Sequence, residues 1–173
     1  TKQSLIHDVI ASNELDLLAL CETWIPADSP RGGGLALIHR SDLHITPHPL
    51  SATIQPFSSF ELQLVKLSSV TPPVTIANVY RPPSMSLNVF LDEFDTFLAI
   101  LTSAGDERLM LCGDVNAPST VPSAVHPDLM ELLSTRDLGQ YVPSPTRGNN
   151  LLDVFITTQQ SSPASIRVDD AGC

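Results

Sequence analysis

The chain has 173 residues and a mass of 18.6 kDa, the size of one domain or part of one. Its 42% apolar and 16% charged residues can build a packed core, which excludes a disordered chain, and no apolar run approaches the roughly 18 residues of a membrane span. Nine Lys+Arg against 19 Asp+Glu give a net charge of −10 and a pI near 4.6. That argues against a generic basic nucleic-acid-binding face, but it leaves a phosphodiester substrate open, because a divalent cation can supply positive charge locally.

The opening at Thr1 rather than Met points to a fragment or a processed chain, and no secretory signal is visible at the start. Residues 4–12 predict a short helix with Leu5, Ile6, Val9 and Ile10 on one side. The nearly unbroken apolar run 15–21 suits a strand buried on both faces, and Glu22-Thr23-Trp24 follows it. Gly32-Gly33-Gly34 predicts a flexible turn before a short strand at 35–38. Residues 60–67 alternate, Phe60, Leu62, Leu64 and Leu67 against Glu61, Gln63 and Lys66, as a strand with one wet face does. The β-rich segment 74–80 is stopped by Pro82-Pro83.

Residues 87–101 form the clearest helix, with Leu87, Phe90, Leu91, Phe94, Phe97, Leu98 and Leu101 at steps of three and four. Ser86 is its expected N-cap, and Asp92 and Glu93 lie toward its start. After Ala104-Gly105-Asp106 comes a strand at 109–112, then Gly113-Asp114-Val115-Asn116. Residues 127–138 read as a second helix, with Pro127 at its first position and Gly139 at its end. A strand at 151–157 with Asp153 inside it closes the pattern. Several strands follow one another without a helix between, so packed sheets flanked by helices are expected rather than a doubly wound sheet.

Three cysteines, Cys21, Cys112 and Cys173, are too few and too scattered for a disulfide framework or a zinc cluster. Cys21 and Cys112 read as small core residues, and a reducing intracellular setting is expected. Three polar groups stand at the C-terminal ends of predicted strands: Glu22, Tyr80, and Asp114 with Asn116. Strand ends at a common sheet edge are where sites form in α/β folds. A carboxylate directly after a buried run is costly unless it faces a cleft or a cation. Each residue also has a bland reading: Glu22 as a loop residue or helix cap, Asp114 in an Asx turn, Tyr80 as a packed aromatic, Asp153 as an edge residue.

Taken in order, Leu17-Leu18-Ala19-Leu20-Cys21-Glu22-Thr23-Trp24, Gly32-Gly33-Gly34, Phe60-Glu61-Leu62, Asn78-Val79-Tyr80-Arg81-Pro82-Pro83, Leu111-Cys112-Gly113-Asp114-Val115-Asn116, Pro145-Thr146 and Asn150-Leu151-Leu152-Asp153 resemble the endonuclease/exonuclease/phosphatase superfamily. Within it the chain looks most like the endonuclease domain of non-LTR (LINE-type) retrotransposons. The resemblance implies a four-layer α/β sandwich, two packed mixed β-sheets flanked by helices, here incomplete. It implies that Glu22 binds Mg²⁺, with Mn²⁺ as substitute, and that Tyr80 lies beside the scissile phosphate. It makes Asp114 the group that orients or activates the attacking water, Asn116 a hydrogen-bond donor to the phosphate, and Asp153 the orienter of a catalytic histidine. Thr146 and Asn150 fall where family members contact DNA. The implied partners are the DNA phosphodiester backbone and a fused reverse transcriptase, with no membrane, and with nuclear action otherwise cytoplasmic.

The chain departs from the family pattern at both ends. The opening strand with its asparagine and the closing Ser-Asp-His segment are expected to lie outside residues 1–173, so that the chain alone would be poorly active and marginally stable. The five histidines (His7, His39, His44, His48, His126) match no catalytic position. Two other readings stand beside the nuclease: a phosphatase or phosphodiesterase of the same superfamily, and a non-catalytic remnant serving as an interaction module.

Overall fold

In the computed structural model, residues 2–23, 33–54, 56–103, 108–122 and 124–169 are described; Trp24, Gly32, the 104–106 turn and the segment from Asp170 to Cys173 lie outside them. A helix α1 (Lys2–Ser12) precedes a two-stranded antiparallel sheet of β1 (Leu17–Cys21) and β2 (Leu35–His39). A second sheet holds β3 (Ile45–Pro47), β4 (Glu61–Leu67), β5 (Val74–Tyr80), β6 (Leu109–Asp114), β7 (Leu138–Gln140) and β8 (Asp153–Thr158) in the order β3-β4-β5-β6-β8-β7. Its one parallel pair, β5 with β6, is joined through the helix α2 (Leu87–Ser103), as a parallel pair requires. The remaining pairs are antiparallel, so the sheet is mixed. A third helix, α3 (Pro127–Ser134), follows β6.

Side-chain alternation decides what each face of the large sheet does. Phe60, Leu64, Ala77, Val79, Leu111, Val154 and Ile156 share one core with Phe90, Phe94, Phe97, Leu98 and Leu101 of α2 and Leu129 and Leu133 of α3. Completely burying each large apolar side chain contributes about 1.5–3 kcal/mol, which makes this helix-covered face the main source of stability. The opposite face meets the small sheet. All seven residues of β5 are buried, as befits a central strand covered on both sides.

Several expectations change on contact with the structure. The 15–21 strand, expected to be buried on both faces, is half-exposed along β1, because among the described residues it pairs with β2 alone. The polar face of β4 is not wet: Gly34 donates its backbone N–H to Glu61 Oε2 at 2.8 Å, and Gln63 Oε1 is buried. These polar side chains lie under the small sheet, so their pattern imitates a solvent face without being one. The second helix stops at Ser134 rather than running to 138. Asp137 takes a left-handed φ of 57°, and Leu138 and Gly139 pass into the edge strand β7. Asp153 opens β8 rather than lying inside a longer strand. Cys21 and Cys112 are half-buried and face the space between the sheets rather than the main core.

Candidate active site

Four acidic or phenolic side chains form a row across the large sheet. Glu61 is the register partner of Tyr80, Tyr80 of Asp114, and Asp114 of Asp153. Partners in register point to the same face, and facing Cα atoms on adjacent strands are only about 4.5–5.5 Å apart. The row therefore lies on the face turned to the small sheet. Glu22, the residue after β1, reaches it from that sheet: the Tyr80 hydroxyl donates a short hydrogen bond to Glu22 Oε1. Glu22 holds a left-handed φ of 55°, which turns the chain sharply as it leaves the strand.

Of these groups Glu22, Asp114 and Asp153 border a cavity of about 370 Å³, lined also by Cys21, Asn78, Cys112 and Arg147, among others; Tyr80 adjoins it through its bond to Glu22. Asp114, 3% exposed, is the carboxylate of the cavity whose protonation is perturbed. Burial raises its pKa to about 6, helped by the negative charges of Asp153 and Glu22 and opposed by the Asn116 N–H and by Arg147. Burial and the adjacent Glu22 push the Tyr80 phenol up as well, so it stays a neutral donor throughout the physiological range. Burial raises the Cys21 thiol to about 11 and the Cys112 thiol to about 12, so both are unreactive thiols.

Local backbone geometry explains the Gly-Asp-x-Asn spacing. Gly113 takes a φ of 138°, and a Cβ there would overlap the Val79 carbonyl, so β5 and β6 approach this closely only because residue 113 has no side chain. Asp114 Oδ1 accepts the Asn116 N–H at 3.0 Å in an Asx turn, with Asn116 at φ 44°. The bland reading of Asp114 is thus also true, and it coexists with the cavity position. Asn116 is buried, and its Nδ2 donates to the Arg81 carbonyl at 2.8 Å. One of its two amide hydrogens is thus used on the Arg81 carbonyl, and Asn116 is not among the residues lining the cavity.

Thr146 also works on the backbone. Its Oγ1 accepts from the Leu152 and Asp153 N–H groups, both at 3.1 Å, and its own N–H donates to the Asn150 carbonyl at 2.9 Å. Thr146 and Asn150 thus close the 146–150 turn that sets Asp153 at the start of β8 and presents Arg147. None of the five histidines lines the cavity.

Two arginines join the site without having been singled out from sequence. Arg147 reaches Asp114 Oδ2 at 3.4 Å from a largely exposed side chain. Arg81 is buried; it donates to the carbonyls of Asn116 at 2.8 Å and Met85 at 3.0 Å, and stacks over Phe90. Burial lowers its pKa, and the Asp114 charge offsets part of that. The position between Tyr80 and two prolines was the signal available for Arg81; Arg147 offered none, because its place beside Asp114 depends on the pairing of β6 with β8.

No protein-family model matches the sequence, and no curated protein matches it. Solved structures do match the fold. The endonuclease domain of TRAS1, a telomere-specific non-LTR retrotransposon, agrees with a TM-score of 0.65 at 17% identity over 91% of this chain and 79% of that one. The 3′ phosphatase NExo from Neisseria, solved bound to product DNA hairpin, agrees at 0.55 with 16% identity over 92% and 82%. An endonuclease/exonuclease/phosphatase family protein from Bacteroides thetaiotaomicron agrees at 0.56 with 9% identity over 89% and 71%. The chain has the fold of the endonuclease/exonuclease/phosphatase superfamily, with two packed sheets and helices. Likeness at these identities is a likeness of fold; chemistry has to be argued from the site.

Proposed function

We propose that this site hydrolyses phosphodiester bonds, and that it does so as a DNA-nicking endonuclease. The single observation that carries the reading is the convergence of Glu22, Asp114 and Asp153, from three different strands or strand ends, on one cavity that also holds Arg147, with the Tyr80 hydroxyl bonded to Glu22 beside it. In-line attack of water on phosphorus needs a group to take the proton. Asp114, with a pKa near 6, is an ionised carboxylate at neutral pH whose basicity lies close to the working pH, as a general base requires. The Tyr80 phenol, whose one proton goes to Glu22 in this structure, can donate to a non-bridging phosphate oxygen once that bond is released, and the Arg147 guanidinium can neutralise charge building on the same group. Asp153 is the carboxylate available to orient a catalytic histidine, the role the resemblance implies for it.

The donor set fits Mg²⁺. Three carboxylates face one cavity, and two of them raise the pKa of the third, so the site holds negative charge that a divalent cation would neutralise. The ligands are hard oxygens, and among the described residues no group of three or more His, Cys, Asp or Glu side chains is placed to cage an ion. That matches an ion held by one or two carboxylates and completed by water and phosphate oxygens. Glu22 would hold it, and the ion would neutralise charge on the phosphoryl oxygens.

The likeness in fold to a retrotransposon endonuclease domain is the reason for taking DNA as the substrate, and a reverse transcriptase as partner and the nucleus as place of action belong to the same proposal. The test is nicking of supercoiled plasmid with Mg²⁺ by the protein carrying its native flanking residues. Asp114→Ala is expected to reduce nicking at least as much as removal of one electrostatic donor, about 10²–10³-fold. A folded protein that leaves plasmid intact but cleaves small phosphate monoesters would replace this reading with the phosphatase. A folded protein inert toward both would replace it with the non-catalytic module.

A further inference from the structure

We propose that Asn78 is the positioning residue of this site, tying the small sheet to the large one directly beneath the Tyr80–Glu22 contact and so holding Glu22 in the cavity. Asn78 is 1% exposed at the centre of β5, on the face turned to the small sheet. Its Nδ2 donates to the Leu20 carbonyl of β1 at 3.1 Å and to the Ala36 carbonyl of β2 at 3.4 Å. Leu20 and Ala36 are register partners, so one amide grips both strands at the same level. The Cys21 thiol lies 3.6 Å from Asn78 Oδ1 on the other side of the amide.

The spacing gives the arrangement its meaning. Asn78 stands two residues before Tyr80, and Leu20 two residues before Glu22. Asn78 and Tyr80 are successive residues on one face of β5, so Asn78–Leu20 and Tyr80–Glu22 are successive rungs between the sheets, the first ending on a β1 backbone carbonyl and the second on the Glu22 side chain just past β1. The upper rung is the candidate chemistry, and the lower rung holds it. A buried amide is costly unless its hydrogen bonds are made, and an apolar side chain would pack two sheets together more cheaply. Asn at this position is therefore accounted for by the direction it imposes. β1 pairs only with β2 among the described residues, and the chain turns at once into the left-handed Glu22. Apart from Tyr80, the other ties at this end are Thr23 N–H to the Gly34 carbonyl, Gly34 N–H to Glu61 and the Cys21 thiol near the Val79 carbonyl. Of the cross-sheet contacts Asn78 alone grips both β1 and β2.

The inference rests on the reading of Glu22 as the cation anchor, but its primary test does not. A double-mutant cycle of Glu22→Ala and Tyr80→Phe, read by denaturant unfolding in EDTA, measures the Tyr80–Glu22 coupling. It is run with Asn78 present and in the Asn78→Leu background, with Asn78→Ser as second variant should the first not fold. The coupling is expected to be roughly tenfold or more in the unfolding constant with Asn78, as for a hydrogen bond to a charged group, and to vanish without it. A coupling unchanged in Asn78→Leu or Asn78→Ser, whatever the loss of overall stability, makes Asn78 merely structural and overturns the proposal. Mn²⁺ titration followed by electron paramagnetic resonance supplies the second readout: half-saturation should rise about tenfold on losing one positioning contact of this strength. Coupling lost in the variants while the unaltered protein binds no Mn²⁺ would sink the cation reading of Glu22 and leave Asn78 as the residue that places it.

Discussion

Replacing Asp114 by Asn should make the protein more stable at neutral pH while removing its chemistry. Burial and the charges of Asp153 and Glu22 raise the Asp114 pKa from 3.8 to about 6. The folded state thus binds a proton more tightly than the unfolded chain. Between those two values the native state holds more protons, so stability falls as pH rises through the window, and above it the ionised carboxylate is a standing cost. The shift corresponds to about 3 kcal/mol at most, and about 1–3 kcal/mol allowing for relaxation around the site. Asn carries no charge at any pH and retains an Oδ1 acceptor for the Asn116 N–H that Asp114 now accepts at 3.0 Å. In calorimetry with EDTA at pH 7.5, Asp114→Asn should melt higher by roughly 2–4 °C per kcal/mol, and the gap should close by pH 4. Titrating groups remote from residue 114 cancel in the difference, whereas Asp153, Glu22 and Arg147 lose their interaction with its charge and are part of the measured effect. A variant less stable at pH 7.5, or a gap of the same size at both pH values, would show that Asp114 is a satisfied structural carboxylate and would remove the basis for its role as a base.

Three further perturbations test the frame around the site. Gly113→Ala forces a left-handed residue into overlap with the Val79 carbonyl, so it should cost about 3 kcal/mol or more and leave little soluble protein; normal yield and midpoint would contradict the close β5–β6 approach. Arg81→Lys keeps a charge but cannot reach the Asn116 and Met85 carbonyls together, and should lower stability by about 2–4 kcal/mol in urea unfolding, whereas a loss under about 0.5 kcal/mol would mean the guanidinium fork is dispensable. Glu93 is held down to about 2: burial raises it, and the hydroxyls and N–H groups of Ser59 and Ser58 outweigh that burial. Its contribution is present above pH 4.5 and is lost as pH falls toward 2, so Glu93→Gln should cost about 1 kcal/mol at pH 7 and nothing near pH 2, a dependence that pH-resolved melting reads directly.

Apolar periodicity made the main elements legible, and failed where polar residues were buried for a reason. β5, β6 and α2 stand close to their expected bounds because their side chains meet one continuous core. β4 misled because Glu61 and Gln63 are polar yet lie under the small sheet, where Glu61 accepts the Gly34 N–H. β3 and β7 were missed because they are three-residue edge strands, one containing Pro47 and the other Gly139, too short for any period to show. Glu22, Tyr80 and Asp114 could be picked out because each stands at the end of a predicted strand, and Asp153 only through the family resemblance, whereas Asn78 and Arg147 could not. Asn78 sits inside a β-rich run, where only its low strand propensity sets it apart, and Arg147 lies in a turn whose relation to Asp114 depends on the β6–β8 pairing.

Strand polarity explains why so few residues suffice. Because β5 and β6 are parallel, their C-terminal residues Tyr80 and Asp114 fall at the same edge of the sheet. β8 runs the other way and contributes its first residue, Asp153, to that edge. Three reactive groups are thereby set by backbone hydrogen bonding alone, at spacings no side chain has to maintain. Glu22 is the exception: it arrives from a different sheet, whose only described strand pairing is internal. Its place has to be fixed by side chains crossing between the sheets, and the structure supplies the Asn78 amide and the Tyr80 hydroxyl for that purpose. The weak point of the site is therefore the junction between sheets. Substitutions there should cost function before they cost stability, while those within the large sheet should do the reverse.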